Sequence, residues 1–343
     1  VIRSMKLGAH DYVVKPLQMD QLELTITNAL ETIRLRKEVQ TLQARCLSEN
    51  MPLFIGESNA IQGVMDLIQR VSRSADTPIL IEGETGTGKE LMASAIHYHS
   101  PLFKGPFVAV NCAAIPKELV ESELFGYRGG ALSGARESGK TGLVETAHNG
   151  TLFLDEIGDL SPESQAKLLR FLESGTFYRV GETKATRVAV RIVSATNRDL
   201  SRMMADGLFR QDLYFRLGVI KIQAPSLKDR PDDILPLAKH YLAHFNTKFG
   251  TAFRGFSPEA EQALRQHPWT GNVRELKNMT EKAALTGRHE YLTPQDLGLE
   301  HAHDANTCDP ATWLQILPSL PPEGMNLPQT LEQIERHFIL QAL

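Results

Sequence analysis

The chain has 343 residues, 42% apolar and 23% charged, with 37 basic against 41 acidic side chains and a formal net charge of −4. This is ordinary globular composition with material for two or three domains, and it argues against disorder, collagen-like repetition and a strongly cationic nucleic-acid surface. Three isolated cysteines, Cys46, Cys112 and Cys308, lack metal-ligand spacing and fit the reduced thiols of a cytoplasmic protein. No apolar run is long enough to span a bilayer and no charged-then-apolar leader is present, so neither a membrane protein nor an exported one is expected. Opening on Val1, the chain is expected to be a fragment of a longer one.

Residues 1–30 hold Gly8-Ala9-His10-Asp11-Tyr12-Val13-Val14-Lys15-Pro16 and then a helix-like stretch over 19–30. They resemble the tail of a bacterial response-regulator receiver domain. In that family the lysine before the proline, here Lys15, contacts a phosphorylated aspartate that this chain lacks. Residues 31–50 read as a helical linker. Leu35, Val39, Leu42 and Cys46 recur at intervals of four, three and four. That suits either a coiled-coil seam of about two heptads or an amphipathic helix lying on its own domain.

Residues 51–223 alternate apolar, β-prone runs at 79–81, 107–110, 151–154, 190–194 and 219–222 with helical patterns. Parallel strands buried on both faces read this way. The first run leads into Gly83-Glu84-Thr85-Gly86-Thr87-Gly88-Lys89-Glu90, followed by a helix-forming stretch. Strand, glycine loop and helix form the context of a phosphate-binding loop: backbone N–H groups turn inward, the helix points its positive end at the anion, and Lys89 reaches the β- and γ-phosphates. Glu90 stands where most such loops carry a hydroxyl for Mg2+. The metal must then lean on other ligands, and the run 151–154 ends in Asp155 and Glu156. Asp155 is placed to hold Mg2+ and Glu156 to polarise an attacking water. Buried strands also end in acids by chance, but joined to the loop these two point to hydrolysis rather than binding alone.

Residues 224–300 turn helical after Pro225. Ser257-Pro258-Glu259 gives a helix start, Asn272 is a candidate cap for the next helix, and a small helical lid is expected. Residues 301–327 read as a proline-rich tether, in which His301 and His303 lack the further ligands a metal needs. Residues 328–343 begin an amphipathic run.

Taken together, 83–90, Asn111-Cys112-Ala113-Ala114, Glu123-Leu124-Phe125-Gly126, 150–156 and Gly271-Asn272-Val273-Arg274-Glu275-Leu276 resemble the sigma-54-dependent transcription activators of the NtrC type, which are AAA+ ATPases. The resemblance covers nearly the whole chain. It implies an α/β fold, an AAA+ P-loop ATPase with a parallel sheet and small helical lid, preceded by the receiver remnant and linker. From residue 328 it implies the start of a Fis-type helix-turn-helix whose recognition helix is absent.

The resemblance also assigns roles. ATP and Mg2+ are the implied ligands, with Gly83, Glu84, Thr85, Gly86, Thr87, Gly88, Lys89 and Glu90 around the phosphates. Asp155 handles the metal, Glu156 activates water, and Asn111 restrains that glutamate until nucleotide is sensed. Thr196 and Asn197 match the first sensor and Arg274 the second. Arg210 and Arg216 match arginines offered to the neighbouring subunit's site; as ordinary residues each would form a surface ion pair. Fingers of this kind require a homo-oligomeric ring, by family a hexamer assembled from an inactive dimer. The implied target is sigma-54 RNA polymerase. A cognate sensor kinase and enhancer DNA would be engaged through regions missing from this chain.

One stretch departs from the family pattern. In Gly130-Ala131-Leu132-Ser133-Gly134-Ala135, the loop implied to contact sigma-54, the family has phenylalanine and threonine where Leu132 and Ser133 stand. Apolar bulk and hydroxyl survive, but the flat aromatic contact is lost. Two readings follow: an activator that remodels the closed promoter complex through an altered contact, or an ATP-binding, DNA-tethered regulator that does not engage sigma-54. The intact hydrolytic set favours the first. A protein-unfoldase ring would want an aromatic residue in a pore loop, which this glycine-bracketed loop does not supply.

Overall fold

The computed structural model describes residues 19–52, 54–130 and 139–299. The readings made on 1–18, on Ala131, Leu132, Ser133, Gly134 and Ala135, and on 301–343 lie outside the described residues.

All five apolar runs become strands of one parallel sheet: β1 (Ile79–Glu82), β2 (Phe107–Asn111), β3 (Thr151–Asp155), β4 (Arg191–Thr196) and β5 (Ile220–Gln223). Their spatial order is β2-β3-β4-β1-β5. Alternation along each strand divides its side chains between two faces. Ile79, Ile81, Phe153, Val193 and Ala195 pack with Ile61, Ile68, Met92 and Ile96 of the helices Asn59–Val71 and Lys89–Tyr98. Leu80, Leu152, Leu154 and Ile192 pack the opposite way, with Leu124, Phe125, Leu168, Phe171, Leu213 and Leu217. Fully burying each such side chain stabilises the fold by roughly 1.5–3 kcal/mol. Arg191 is an exception within this apolar sheet. Its fully buried guanidinium donates to the carbonyls of Val71 at 2.9 Å and Ser72 at 3.3 Å, closing the C-terminal end of the helix Asn59–Val71. Burial pushes its pKa down to about 10.

Register brings the strand ends level. Asn111 pairs with Asp155, and Glu82 with Thr196. The segments leaving β1, β2, β3 and β4 therefore share one edge of the sheet, where open parallel sheets bind ligands.

Beyond β5, short turns at Leu227–Asp229 and Pro231–Asp233 lead into the lid helices Ile234–Phe249, Pro258–Gln266 and Asn272–Thr286. The lid has its own core, including Leu237, Phe245, Leu264, Trp269 and Leu276. Ser257 caps its helix as expected, accepting the Ala260 N–H at 3.2 Å with Pro258 in the first turn. Asn272 does not cap. Gly271 takes the cap position, while Asn272 is the first helical residue, held at φ +53°. Asparagine tolerates this left-handed backbone better than other side chains, and its side chain is left free for another use.

The helix Met19–Asn50 runs unbroken for 32 residues, through the boundary drawn at residue 30, because no glycine or proline interrupts it. Leu35 and Val39 are 53% and 49% exposed, so this part of the seam is not laid on the α/β unit. Among the described residues no helix is long and apolar enough to cross a membrane.

Candidate nucleotide site

The loop after β1 bends where its glycines allow. Gly86 sits at φ +80°, and a Cβ there would stand 2.2 Å from the Gly271 carbonyl oxygen, so the lid approaches closely only because the side chain is missing. Gly88 sits at φ +98° facing open space; its need for glycine is one of backbone angle alone. It is the N-cap of the helix Lys89–Tyr98 without any side-chain cap. Among the described residues the N–H groups of Gly88, Lys89 and Glu90 find no acceptor. A helix start with free donors is an anion site. It opens on a cleft of about 660 Å3 lined also by Thr85, Asp155, Glu156 and Arg274.

Lys89 is 7% exposed, and its Nζ donates to the carbonyls of Gly83 at 3.0 Å and Glu84 at 3.1 Å, leaving one donor free. Burial holds its ammonium below the usual lysine pKa; Glu156 and Asp155 oppose that shift and Arg274 adds to it. A buried cation with unspent hydrogen-bonding capacity, beside free N–H groups, is complementary to a polyphosphate. The Thr87 hydroxyl is used locally, donating to the Glu84 carbonyl at 2.9 Å. Glu90 is exposed in the first helical turn. The Glu84 carboxylate points away from the cleft, to Lys228 and Asn272.

Across the cleft, Asp155 ends β3 and Glu156 follows at φ +52°, a strained conformation for a residue with a Cβ. Asp155 Oδ1 accepts the Glu156 N–H at 3.0 Å. Glu156 Oε2 accepts the Asn197 N–H at 3.3 Å, and Asn197 Nδ2 donates to Thr85 Oγ1 at 2.8 Å. Asn197 is thus braced between the acid and the phosphate loop. Its neighbour Thr196 is not: fully buried, it accepts the Arg198 N–H at 3.0 Å and lies outside the cleft lining. Asn111 stands beside Asp155 in register, but its Oδ1 accepts the Ala113 N–H at 2.9 Å, and the hydrogen bond to Glu156 goes to Asn197 instead. The next residue, Cys112, is buried, and burial with the nearby Asp155, Asp159 and Glu156 pushes its thiol up to about 12. That thiol is inert.

Among the described residues no group of three His, Cys, Asp or Glu could hold a metal. Two half-buried carboxylates beside a phosphate-binding edge nevertheless suit Mg2+, which keeps much of its water and takes phosphate oxygens rather than an all-protein cage.

Arg274 lines the cleft from the lid, and so do Lys277 and Asn278, three and four residues further along the same helix. Sequence reading missed both, although that spacing places them on one helical face. Tyr241, from the helix Ile234–Phe249, also lines the cleft with no sequence signal to mark it. Arg210 and Arg216 are exposed and do not line it. Arg210 rests on Asp212, with Nε to Oδ1 at 3.1 Å and Nη2 to Oδ2 at 2.7 Å, while Arg216 donates from Nη2 to the Leu172 carbonyl at 2.9 Å.

Elsewhere, the pairs Gly126–Tyr127 and Lys140–Thr141 run antiparallel, with Lys140 Nζ on Glu123 Oε1 at 2.6 Å. Gly130, the first residue of the departing loop motif, lies between these strands in sequence at φ +79°.

Comparison with known proteins agrees with this geometry. The Sigma-54 interaction domain family matches residues 54–223 and the AAA+ ATPase lid domain family residues 228–313. The DNA-binding transcriptional regulator NtrC of Proteus hauseri is 39% identical over 354 residues, covering 100% of this chain and 74% of that protein. The alginate biosynthesis transcriptional regulatory protein AlgB of Pseudomonas aeruginosa is 44% identical over 306 residues, covering 89% of this chain and 68% of that protein. The crystal structure of NtrX from Brucella abortus in complex with ATP superposes with a TM-score of 0.68 at 35% identity, over 98% of this chain and 71% of that one.

Proposed function

The chain belongs to the sigma-54-dependent AAA+ response regulators of the NtrC type, and on that premise we propose that this ATPase spends ATP hydrolysis on remodelling the closed promoter complex of sigma-54 RNA polymerase in the cytoplasm. The observation that carries the hydrolytic part is the meeting of three elements on one sheet edge: free helix N–H donors, the buried Lys89, and a Glu156 carboxylate held by Asn197.

In this reading the loop N–H groups and Lys89 hold the phosphates of ATP. Asp155 would hold Mg2+, which would supply neutralisation of phosphate charge. Glu156 orients the attacking water and takes its proton. Asn197 touches both Thr85 and Glu156, so it registers whether the phosphate loop is filled. Asn111, beside Asp155, has the role of restraining Glu156 until nucleotide is sensed, although in this structure Glu156 accepts from Asn197. Arg274 closes on the γ-phosphate from the lid. Arg210 and Arg216 exchange their present partners for the phosphates of a neighbouring subunit, a contribution worth roughly a thousandfold in rate. A site completed in this way works only in a ring, by family a hexamer. The cognate kinase and enhancer DNA act through other regions of the parent protein.

The alternative is an ATP-binding, DNA-tethered regulator that does not engage sigma-54. The observation favouring it is Leu132 and Ser133 in place of the family's phenylalanine and threonine. Capture of purified sigma-54 by this chain in ADP with aluminium fluoride, against ADP alone, separates the two. Capture only with the transition-state mimic is expected; ATP hydrolysis without capture moves the assignment to the alternative.

A further inference from the structure

Asn272 is used more fully than any other asparagine of the site. It is completely buried, and its φ of +53° keeps its side chain off its own helix. The backbone N–H donates to the Trp269 carbonyl at 2.9 Å. Oδ1 accepts the N–H of Leu227, in the turn between sheet and lid, at 2.6 Å. Nδ2 donates to Glu84 Oε2 at 3.0 Å and to the Thr85 carbonyl at 3.1 Å. The next residue, Val273, donates its N–H to the Gly86 carbonyl at 3.0 Å. Glu84 spends its other oxygen on Lys228 Nζ at 3.0 Å. One buried side chain therefore joins lid, hinge and phosphate loop, two residues before Arg274.

We propose that Asn272 is a positioning residue for ATP hydrolysis, fixing the lid on the phosphate loop so that Arg274 stands at the γ-phosphate, with Glu84 as its partner rather than as a nucleotide ligand. The residue type follows from the demands of the position. The left-handed backbone admits asparagine, aspartate or glycine at low cost. Of these, only asparagine offers two donors and an acceptor together. Aspartate would keep the bond from Leu227 but would face the Glu84 carboxylate and the Thr85 carbonyl with a charge of the same sign. Glycine would keep the backbone and lose every side-chain bond. The Glu84 carboxyl is held below the usual glutamate pKa, first by the Asn272 amide and then by Lys228, as expected of a spent acceptor.

The inference rests on the proposed phosphate role of Arg274, and the test separates the two. Steady-state ATPase kinetics are measured for N272G, R274A and the double variant. N272G is expected to lower kcat roughly tenfold or more, because small misplacements of a reacting constellation are costly. In the R274A background it is expected to change kcat by less than about twofold, since a residue acting through Arg274 has nothing left to position. Full loss in both backgrounds, or no loss in either, overturns the proposal. R274A with unchanged kinetics sinks the Arg274 reading, and this one with it. If N272G does not fold, E84A, which removes the acceptor from a half-exposed side chain, takes its place with the same expected non-additivity. The pairing with Glu84 is read separately: N272D/E84Q, with donor and acceptor exchanged, should recover part of the kcat lost in N272D, and no recovery would show that Glu84 is not the partner.

Discussion

The phosphate loop and the arginine-bearing helix Gln211–Leu217 are held in opposite ways. At the loop, Lys89 is buried, its donors rest on carbonyls of its own loop, and the lid closes on it through Asn272 and Val273. At the helix, Arg210 in the N-cap position and Arg216 within the helix are exposed, outside the cleft, and paired with what their own chain offers nearby. A buried cation must be placed by the fold, because a charge out of water and without partners is expensive. An exposed arginine faces no such demand, and its surface pair is easily exchanged. The inner half, around the loop, is fixed within this chain; the outer half that we propose consists of two exposed arginines held only by local surface contacts.

If that contrast holds, breaking the inner half removes binding as well as turnover. Lys89→Ala is expected to abolish both ATP binding and hydrolysis, read by fluorescent-nucleotide titration and phosphate release; binding that survived intact would remove the lysine from the phosphate site. Breaking the outer half should spare binding. Arg216→Ala is expected to lower turnover about a thousandfold with nucleotide affinity unchanged. Mixing it with Glu156→Gln, which is dead in its own site but still supplies arginines, should restore activity that neither variant has alone. A mixture as inactive as its components would place the arginine's role within its own chain.

The smallest effect sharpens the contrast through acid. His97 lies on the helix that follows the phosphate loop, 1% exposed, with Nδ1 2.9 Å from Thr151 Oγ1. Burial, reinforced by the Arg191 guanidinium, pushes its pKa down from 6.5 to about 4. Below pH 6.5 the unfolded chain binds a proton that the folded chain refuses, so this group removes stability progressively as pH falls from about 6.5 to about 4. His97→Gln is expected to flatten the dependence of the denaturation midpoint across that window; an unchanged slope would assign the acid sensitivity to other groups.

Much of this was legible in the residues. The strand at 151–155 could be read because alternation does not matter when both faces are buried: an unbroken apolar run is what such a strand requires. The phosphate loop could be read because its chemistry resides in backbone and spacing. Readings that depended on where a side chain points fared differently. Asn272, ahead of a helix, suited a cap, yet the lid sets it in a left-handed conformation and spends its amide on Glu84 and Thr85. Thr196 and Asn197 are adjacent, but strand alternation buries the hydroxyl and leaves the amide facing Thr85. Lys277, Asn278 and Tyr241 came to the cleft through the packing of the lid, over which local sequence has no control.

The sequence settled the identity of the sheet, the loop and its acids, because strand burial and phosphate binding depend on local periodicity and local backbone freedom. The partners of Glu84, Glu156 and Asn272 were decided by the folded molecule alone, because each hydrogen bond closes a contact between segments far apart in the chain. The contacts of Glu84 and Asn272 exist only after the lid and its hinge have packed against the sheet edge, and that of Glu156 only after β3 and β4 have paired in register.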